Sequence, residues 1–233
     1  MNITPTTGVG ELAAAAPAAI RVFQRHGIDF CCGGKLPLQE ACDRHQVPFS
    51  ALKGELEAAL APSPEGTDWN HEPLGTLIEH IVSRYHDDLR HELPRLEAMA
   101  AKVNERHGPR HPELFPDLLL TVQGMRTELE QHIAEEERSI FPRLARLGTE
   151  LAEEPAALQT IQGELAHLRE DHQEAGDALA HLRELTGGFN LPPDACMTFR
   201  GLYVGLADLE RDLQMHVHLE NNILFPRAAA LLG

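Results

Sequence analysis

Apolar residues recur three or four positions apart through almost the whole chain from Pro73 onward, the period of an amphipathic helix with one buried face. Leu74, Leu77, Ile81, Tyr85, Leu89, Leu93 and Leu96 mark the first stripe, which the polar run His107-Gly-Pro-Arg-His-Pro112 ends. Three further stripes follow, over about 113–147, 156–186 and 194–232, separated by Gly148 to Pro155 and by Gly187-Gly-Phe-Asn-Leu-Pro-Pro193. Long helices joined by short polar connections make sequential neighbours antiparallel. The pattern therefore predicts an all-α protein whose main part is an up-down-up-down four-helix bundle.

The first sixty residues carry shorter stripes. Leu12, Ala16, Ile20 and Phe23 share a helical face, with Pro17 able to start a second short helix and Gly27 to stop it. The glycines of Ile28-Asp-Phe-Cys-Cys-Gly-Gly-Lys35 then predict a tight non-helical turn, before two more short helices over about 38–45 and 48–60. Ala61-Pro-Ser-Pro-Glu-Gly-Thr67 has the composition of a linker. The expected organisation is a small helical domain over 1–60, a linker over 61–72 and the bundle over 73–233.

Two of the long helices contain the same phrase. His132 is followed four residues later by Glu136 and nine later by Phe141-Pro-Arg143; His216 is followed identically by Glu220 and Phe225-Pro-Arg227. Residues four apart lie one above the other on a helix, so each imidazole and carboxylate can reach one ion together. One such pair would be an ordinary solvated contact, but two in a longer shared frame point to a duplicated metal-binding unit. The matching halves supply the remaining ligands: His86 stands 46 residues before His132, and His172 stands 44 before His216. Four imidazoles and two carboxylates on facing helices, with no thiolate among them, suit a dinuclear iron or manganese centre better than structural zinc. The spacing differs from the Glu-x-x-His of ferritin-like bundles. Glu128 and Asp212 each precede a ligand histidine by one turn, as surface acids or as carboxylates that orient a ligand or relay protons or iron. His218 is about 200° round the helix from His216 and cannot share its face. His80, His91, His167 and His181 are likewise out of phase and are expected at the surface or the edge of the core.

Composition narrows the partners. A formal net charge of -16, from 36 acidic and 20 basic residues, argues against nucleic acid or an anionic membrane. No run approaches the length of apolar sequence a membrane helix needs, and the alanine-rich start, interrupted by Pro17 and without basic residues ahead of it, does not read as a signal peptide. Four cysteines, with Cys31 and Cys32 adjacent, do not make a disulfide framework and suit a reducing, cytoplasmic setting.

The six ligands, their spacing and the Phe-Pro-Arg tails resemble the hemerythrin-like fold. Together with Ile28-Asp-Phe-Cys-Cys-Gly-Gly-Lys35, the chain resembles the repair-of-iron-centres family of di-iron proteins, the YtfE or ScdA type, from about Val9 to Ala230. That resemblance implies a protein that restores iron-sulfur clusters damaged by nitric oxide or oxidants, through a non-haem di-iron centre; in our reading of the residues Glu136 and Glu220 are expected to bridge the two irons together with a solvent-derived oxo group. Damaged iron-sulfur proteins and an unidentified electron donor are the implied partners, nitric oxide or O2 the implied small ligands, and a homodimer is compatible with the family. Oxygen-carrying hemerythrins resemble His-x-x-x-His on the third ligand helix, whereas here His172 is followed four later by Gly176. One imidazole is missing, which predicts a less saturated centre. Cys31 and Cys32 are candidate redox or iron-accepting thiols, expected to be activated by exposed N–H groups and Lys35. Two other functions stay open: an O2 or nitric oxide sensor or carrier, and a di-iron nitric oxide reductase.

Overall fold

The structure, a computed structural model, describes residues 3–60, 67–147, 155–193 and 195–231, and the side chains of these except 155–158. The region expected as a linker falls partly outside them, at 61–66, as do most of the break expected at 148–155 and the expected helix start at Asp194. Among the described residues the chain is all-α apart from an isolated bridge between Gly8 and Pro37. In chain order the helices are α1 (Val9–Ala15), α2 (Ala18–Arg25), α3 (Leu38–Arg44), α4 (Phe49–Ala59), α5 (Leu74–Ile81), α6 (Asp87–His107), α7 (Phe115–Glu135), α8 (Phe141–Leu144), α9 (Pro155–Leu185), α10 (Met197–His218) and α11 (Phe225–Leu231). Two compact units emerge, Ile78–Leu213 and the combination of Met1–Leu77 with Gln214–Gly233.

Ile78–Leu213 holds α6, α7 and α9 with most of α10, and its cross-helix contacts fix their directions. Late α8 meets early α9 through Arg143 and Glu164 (2.5 Å), and early α7 meets late α9 through Asp117 and His181 (3.1 Å). The turn just ahead of α6 meets late α10 through Arg84 and Asp212 (3.3 Å), while the end of α6 meets the start of α10 through His107 and Phe199. Each neighbouring pair is thus antiparallel, as the short connections predict. The apolar stripe read from sequence is the interior: Leu89, Leu93, Leu96, Leu118, Val122, Leu168, Leu182, Leu202 and Leu206 are all buried. Each such side chain contributes about 1.5–3 kcal/mol relative to an exposed one.

The long helices are not uniform. Three π-helical turns interrupt them, at Val82–His86, Glu136–Ile140 and Leu219–Leu224. The last two directly precede Phe141-Pro142 and Phe225-Pro226, and proline explains them. Proline has no N–H to bond the carbonyl four residues back and its ring collides with that carbonyl; a widened turn relieves both. The repeated Phe-Pro-Arg thus sets a local geometry in which Glu136 opens one widened turn and Glu220 is the second residue of the other.

In the other unit, α1 to α4 enclose Leu12, Ile20, Phe23, Ile28, Phe30, Leu38, Leu52 and Leu56, all fully buried. Gly27, at φ 66°, lets α2 end with the Ile28 N–H on the Phe23 carbonyl (2.9 Å). The last turns of the chain cluster with this segment for a specific reason. Asn221 Nδ2 donates to the Cys31 carbonyl (3.3 Å) and Asn222 Nδ2 to the Phe30 carbonyl (3.0 Å). Arg227, from the second Phe-Pro-Arg, donates to the carbonyls of Trp69 and Glu72 at 2.5 Å each.

Candidate metal centre

Within Ile78–Leu213, four of the expected ligands are buried and face one another. The π-helical turn Val82–His86 carries His86, whose Nε2 lies 3.4 Å from Glu136 Oε2. The other oxygen of the same carboxylate, Oε1, lies 3.4 Å from His132 Nε2. His172 Nε2 approaches His132 Nε2 to 3.0 Å. Glu136 is fully buried, and among the described residues neither of its oxygens accepts a hydrogen bond. His132, Glu136 and His172 each place a ligand atom within 4.8 Å of the other two.

The outer nitrogens of two of these rings are taken. His86 donates Nδ1–H to Glu137 Oε1 (2.8 Å), and His132 donates Nδ1–H to Asp171 Oδ2 (3.1 Å). That fixes the tautomer, so each Nε2 presents a lone pair toward Glu136. Glu137 also accepts from Arg90 Nη2 (2.6 Å). Burial would raise the Glu137 carboxyl, but the hydrogen bonds from His86 and Arg90 outweigh it and hold it below the ordinary range. Phe141, from the first Phe-Pro-Arg, stacks on the His86 ring with centroids 5.6 Å apart.

The other unit carries the last two expected ligands. His216 Nε2 lies 2.9 Å from Glu220 Oε1, both side chains buried. These donor sets fit a metal. A buried carboxylate lacking hydrogen bonds is costly as it stands, and a cation would satisfy it together with the imidazoles that face it.

Glu128 and Asp212 stand elsewhere. Glu128 is exposed on α7, and Asp212 pairs with Arg84 on a partly open face. The carboxylates that hold ligand rings are instead Glu137 and Asp171. Each adjoins a ligand in sequence, and adjacency points about 100° away on a regular helix, so the one-turn rule overlooks them. His218 faces away from its neighbour His216, as expected, but it is buried rather than peripheral. Its ring packs edge-on against Phe30, its Nδ1 lies 3.0 Å from Asn222 Nδ2, and burial pushes its pKa down to about 4.

The turn around Cys31 and Cys32 corrects the expectation of activated thiols. Asp29 takes the N–H groups of Cys31 (2.9 Å), Cys32 (3.0 Å) and Gly33 (2.8 Å), so they do not face sulfur. Cys31 is 7% exposed and Cys32 half-buried. A hydrogen bond with Cys32, burial and the charge of Asp29 push the Cys31 thiol well above its ordinary range. Lys35 is exposed. Cys196 is also exposed, with Sγ 3.5 Å from His107 Nε2.

Comparison with known proteins agrees with this arrangement. Residues 77–228 match the hemerythrin HHE cation binding domain, and residues 6–60 match the ScdA N-terminal domain, a domain of unknown function. Over 223 residues the chain is 39% identical to the iron-sulfur cluster repair protein YtfE of Cronobacter sakazakii, covering 95% of this chain and 96% of that protein. It is 37% identical over 221 residues to the YtfE of Yersinia pseudotuberculosis, covering 94% and 95% of the two chains. Among the described residues no helix is long and apolar enough to cross a membrane. The chain therefore belongs to the hemerythrin HHE family and, over nearly its whole length, to the YtfE family within it.

Proposed function

We propose that this protein repairs iron-sulfur clusters damaged by nitrosative or oxidative stress, supplying iron held by His86, His132, Glu136, His172, His216 and Glu220. The observation that carries this reading is the carboxylate of Glu136, whose two oxygens face two different imidazoles, the disposition of a bridging ligand. Glu220, its counterpart in the repeat, takes the same role. Two non-haem irons suit the set because hard oxygen ligands favour ferric iron, and ferrous iron has weak intrinsic preference for such sites. The relatives named as iron-sulfur cluster repair proteins match nearly end to end, which supports damaged iron-sulfur proteins as clients.

The chain's own residues divide the work. Glu137 and Asp171 hold the His86 and His132 rings with their lone pairs inward. Glu136 and Glu220 balance the cationic charge, and the buried surroundings limit access by water. Gly176 offers no side chain one turn beyond His172, which leaves the ligand set short of one imidazole and favours release over storage. In this reading the domain over 1–60 presents Cys31 and Cys32 as acceptors of the released iron, and 73–233 holds the reservoir.

Incubating the iron-loaded protein with an apo or nitrosylated iron-sulfur acceptor, with a chemical reductant, tests the reading. Cluster recovery should rise as iron leaves the donor. Iron retained while nitric oxide is consumed would overturn it in favour of nitric oxide reduction. Reversible binding of a diatomic ligand with neither change would favour a sensor or carrier.

A further inference from the structure

The cysteine turn brings three ligand atoms together away from the histidines. Cys31 Sγ and Cys32 Sγ are 3.6 Å apart, and Cys31 Sγ is 3.2 Å from Asp29 Oδ1. All three residues place a ligand atom within 4.8 Å of one another. We propose that Asp29, Cys31 and Cys32 form a second, mononuclear site for a tetrahedral divalent transition-metal ion of the zinc and ferrous-iron class, with one coordination position left open.

The sulfur separation selects the class. With metal–sulfur bonds of ~2.3 Å, tetrahedral coordination puts two sulfurs ~3.8 Å apart, whereas linear two-coordination, as favoured by monovalent copper, puts them ~4.6 Å apart. The observed 3.6 Å, here the distance of a thiol–thiol hydrogen bond, reaches the first with a shift of ~0.2 Å and the second only with one of ~1 Å. It also lies well beyond a disulfide bond, so the pair is set as two separate donors. A carboxylate oxygen as third ligand hardens the set toward divalent ions.

The turn is built to hold these atoms still. Gly33 lets the backbone lie against Asp29, since a Cβ there would come within 3.1 Å of Oδ2. The Phe30 and Cys31 carbonyls are gripped from the end of the chain by Asn222 and Asn221. Preorganised ligands lose little entropy on binding. Asp29 is exposed and Cys32 half-buried, so the cluster is reachable from solvent, and a fourth donor can come from water or from another molecule.

This inference deepens the proposed role of the thiols as iron acceptors, yet it is tested independently of the histidine and glutamate ligands. Cobalt(II) is the probe, because only sulfur ligation produces a sulfur-to-cobalt charge-transfer band in the near ultraviolet. Titration of the full-length reduced protein should produce that band whether or not cobalt also fills the histidine and glutamate ligands, which contain no sulfur, and zinc or anaerobic ferrous iron should remove it by competition. The band should be lost in Cys32→Ser. It should require at least about tenfold more cobalt in Asp29→Asn, with circular dichroism unchanged. Absence of the band in the parent protein, or its full retention in Cys32→Ser, would overturn the site. Unchanged affinity in Asp29→Asn would overturn Asp29 as the third ligand. None of these readings depends on iron bound by His86 or its partners, so failure here is distinct from failure of the repair function.

Discussion

His86 gives its Nδ1 proton to Glu137 across 2.8 Å, and the same carboxylate oxygen receives Arg90 Nη2 at 2.6 Å. The imidazole is therefore oriented from outside by an ion pair. Glu137→Gln should keep the fold but weaken that orientation, lowering metal affinity about 10–100-fold. Metal content after dialysis against graded chelator measures it, with circular dichroism as the check on folding. Retention equal to that of the parent would show that Glu137 does not orient a ligand.

Glu136 and the imidazoles around it are buried, and neither Glu136 oxygen accepts a hydrogen bond among the described residues, so bound metal should add to stability. At free metal one hundred times the dissociation constant the linkage is about 2.7 kcal/mol. Chelation should remove that increment and so lower the melting temperature of the parent protein. In Glu136→Ala, which removes the carboxylate shared by His86 and His132, chelation should leave the melting temperature nearly unchanged. Differential scanning calorimetry with and without chelator makes both comparisons.

The bundle and the burial of His86, His132, Glu136, His172, His216 and Glu220 are legible because the helices follow the apolar period and the two halves of the chain repeat. The apolar stripe from Leu74 to Leu96 and the two His-x-x-x-Glu pairs obey the same geometry as the helices that carry them. What escaped depends on departures from that period or on tertiary neighbours. Glu137 reaches His86 across two helices and from within a π-helical turn, where regular phase no longer applies. Asp171 likewise meets His132 across helices. The thiols were misjudged for a similar reason: Asp29 was visible in the sequence, but not that its carboxylate would take three N–H groups expected to face sulfur. The proline after each His-x-x-x-Glu pair is legible as a motif, while its consequence, a widened turn, is a structural fact.

Burial orders the thiols. Cys196 is exposed, Cys32 half-buried, and Cys31 buried with its S–H directed to Asp29 at 3.2 Å. Brief treatment of the native, metal-free protein with iodoacetamide should modify Cys196 first, Cys32 next and Cys31 after it, with Cys42, only 1% exposed, last. Peptide mass spectrometry over a time course reads the order. Modification of Cys31 ahead of Cys32 would restore the activated-thiol expectation. Modification of both only after unfolding would make the pair inaccessible to any partner.

Asn222 and Gly34 occupy neighbouring space: a Cβ on Gly34 would lie 2.8 Å from Asn222 Oδ1. Gly34→Ala should therefore destabilise the protein by about 1–3 kcal/mol through overpacking. Asn222→Ala should cost about 1 kcal/mol by releasing the Phe30 carbonyl from its hydrogen bond. The two costs should not add. Truncating Asn222 removes the atom that the new methyl group strikes, so the double variant should be more stable than the sum of the single changes by at least about 0.5 kcal/mol. Urea denaturation of the four proteins at one metal concentration closes the cycle. Strict additivity would mean that the strain lies against Gly10, whose Cα stands 3.1 Å from the same added carbon, rather than against the asparagine.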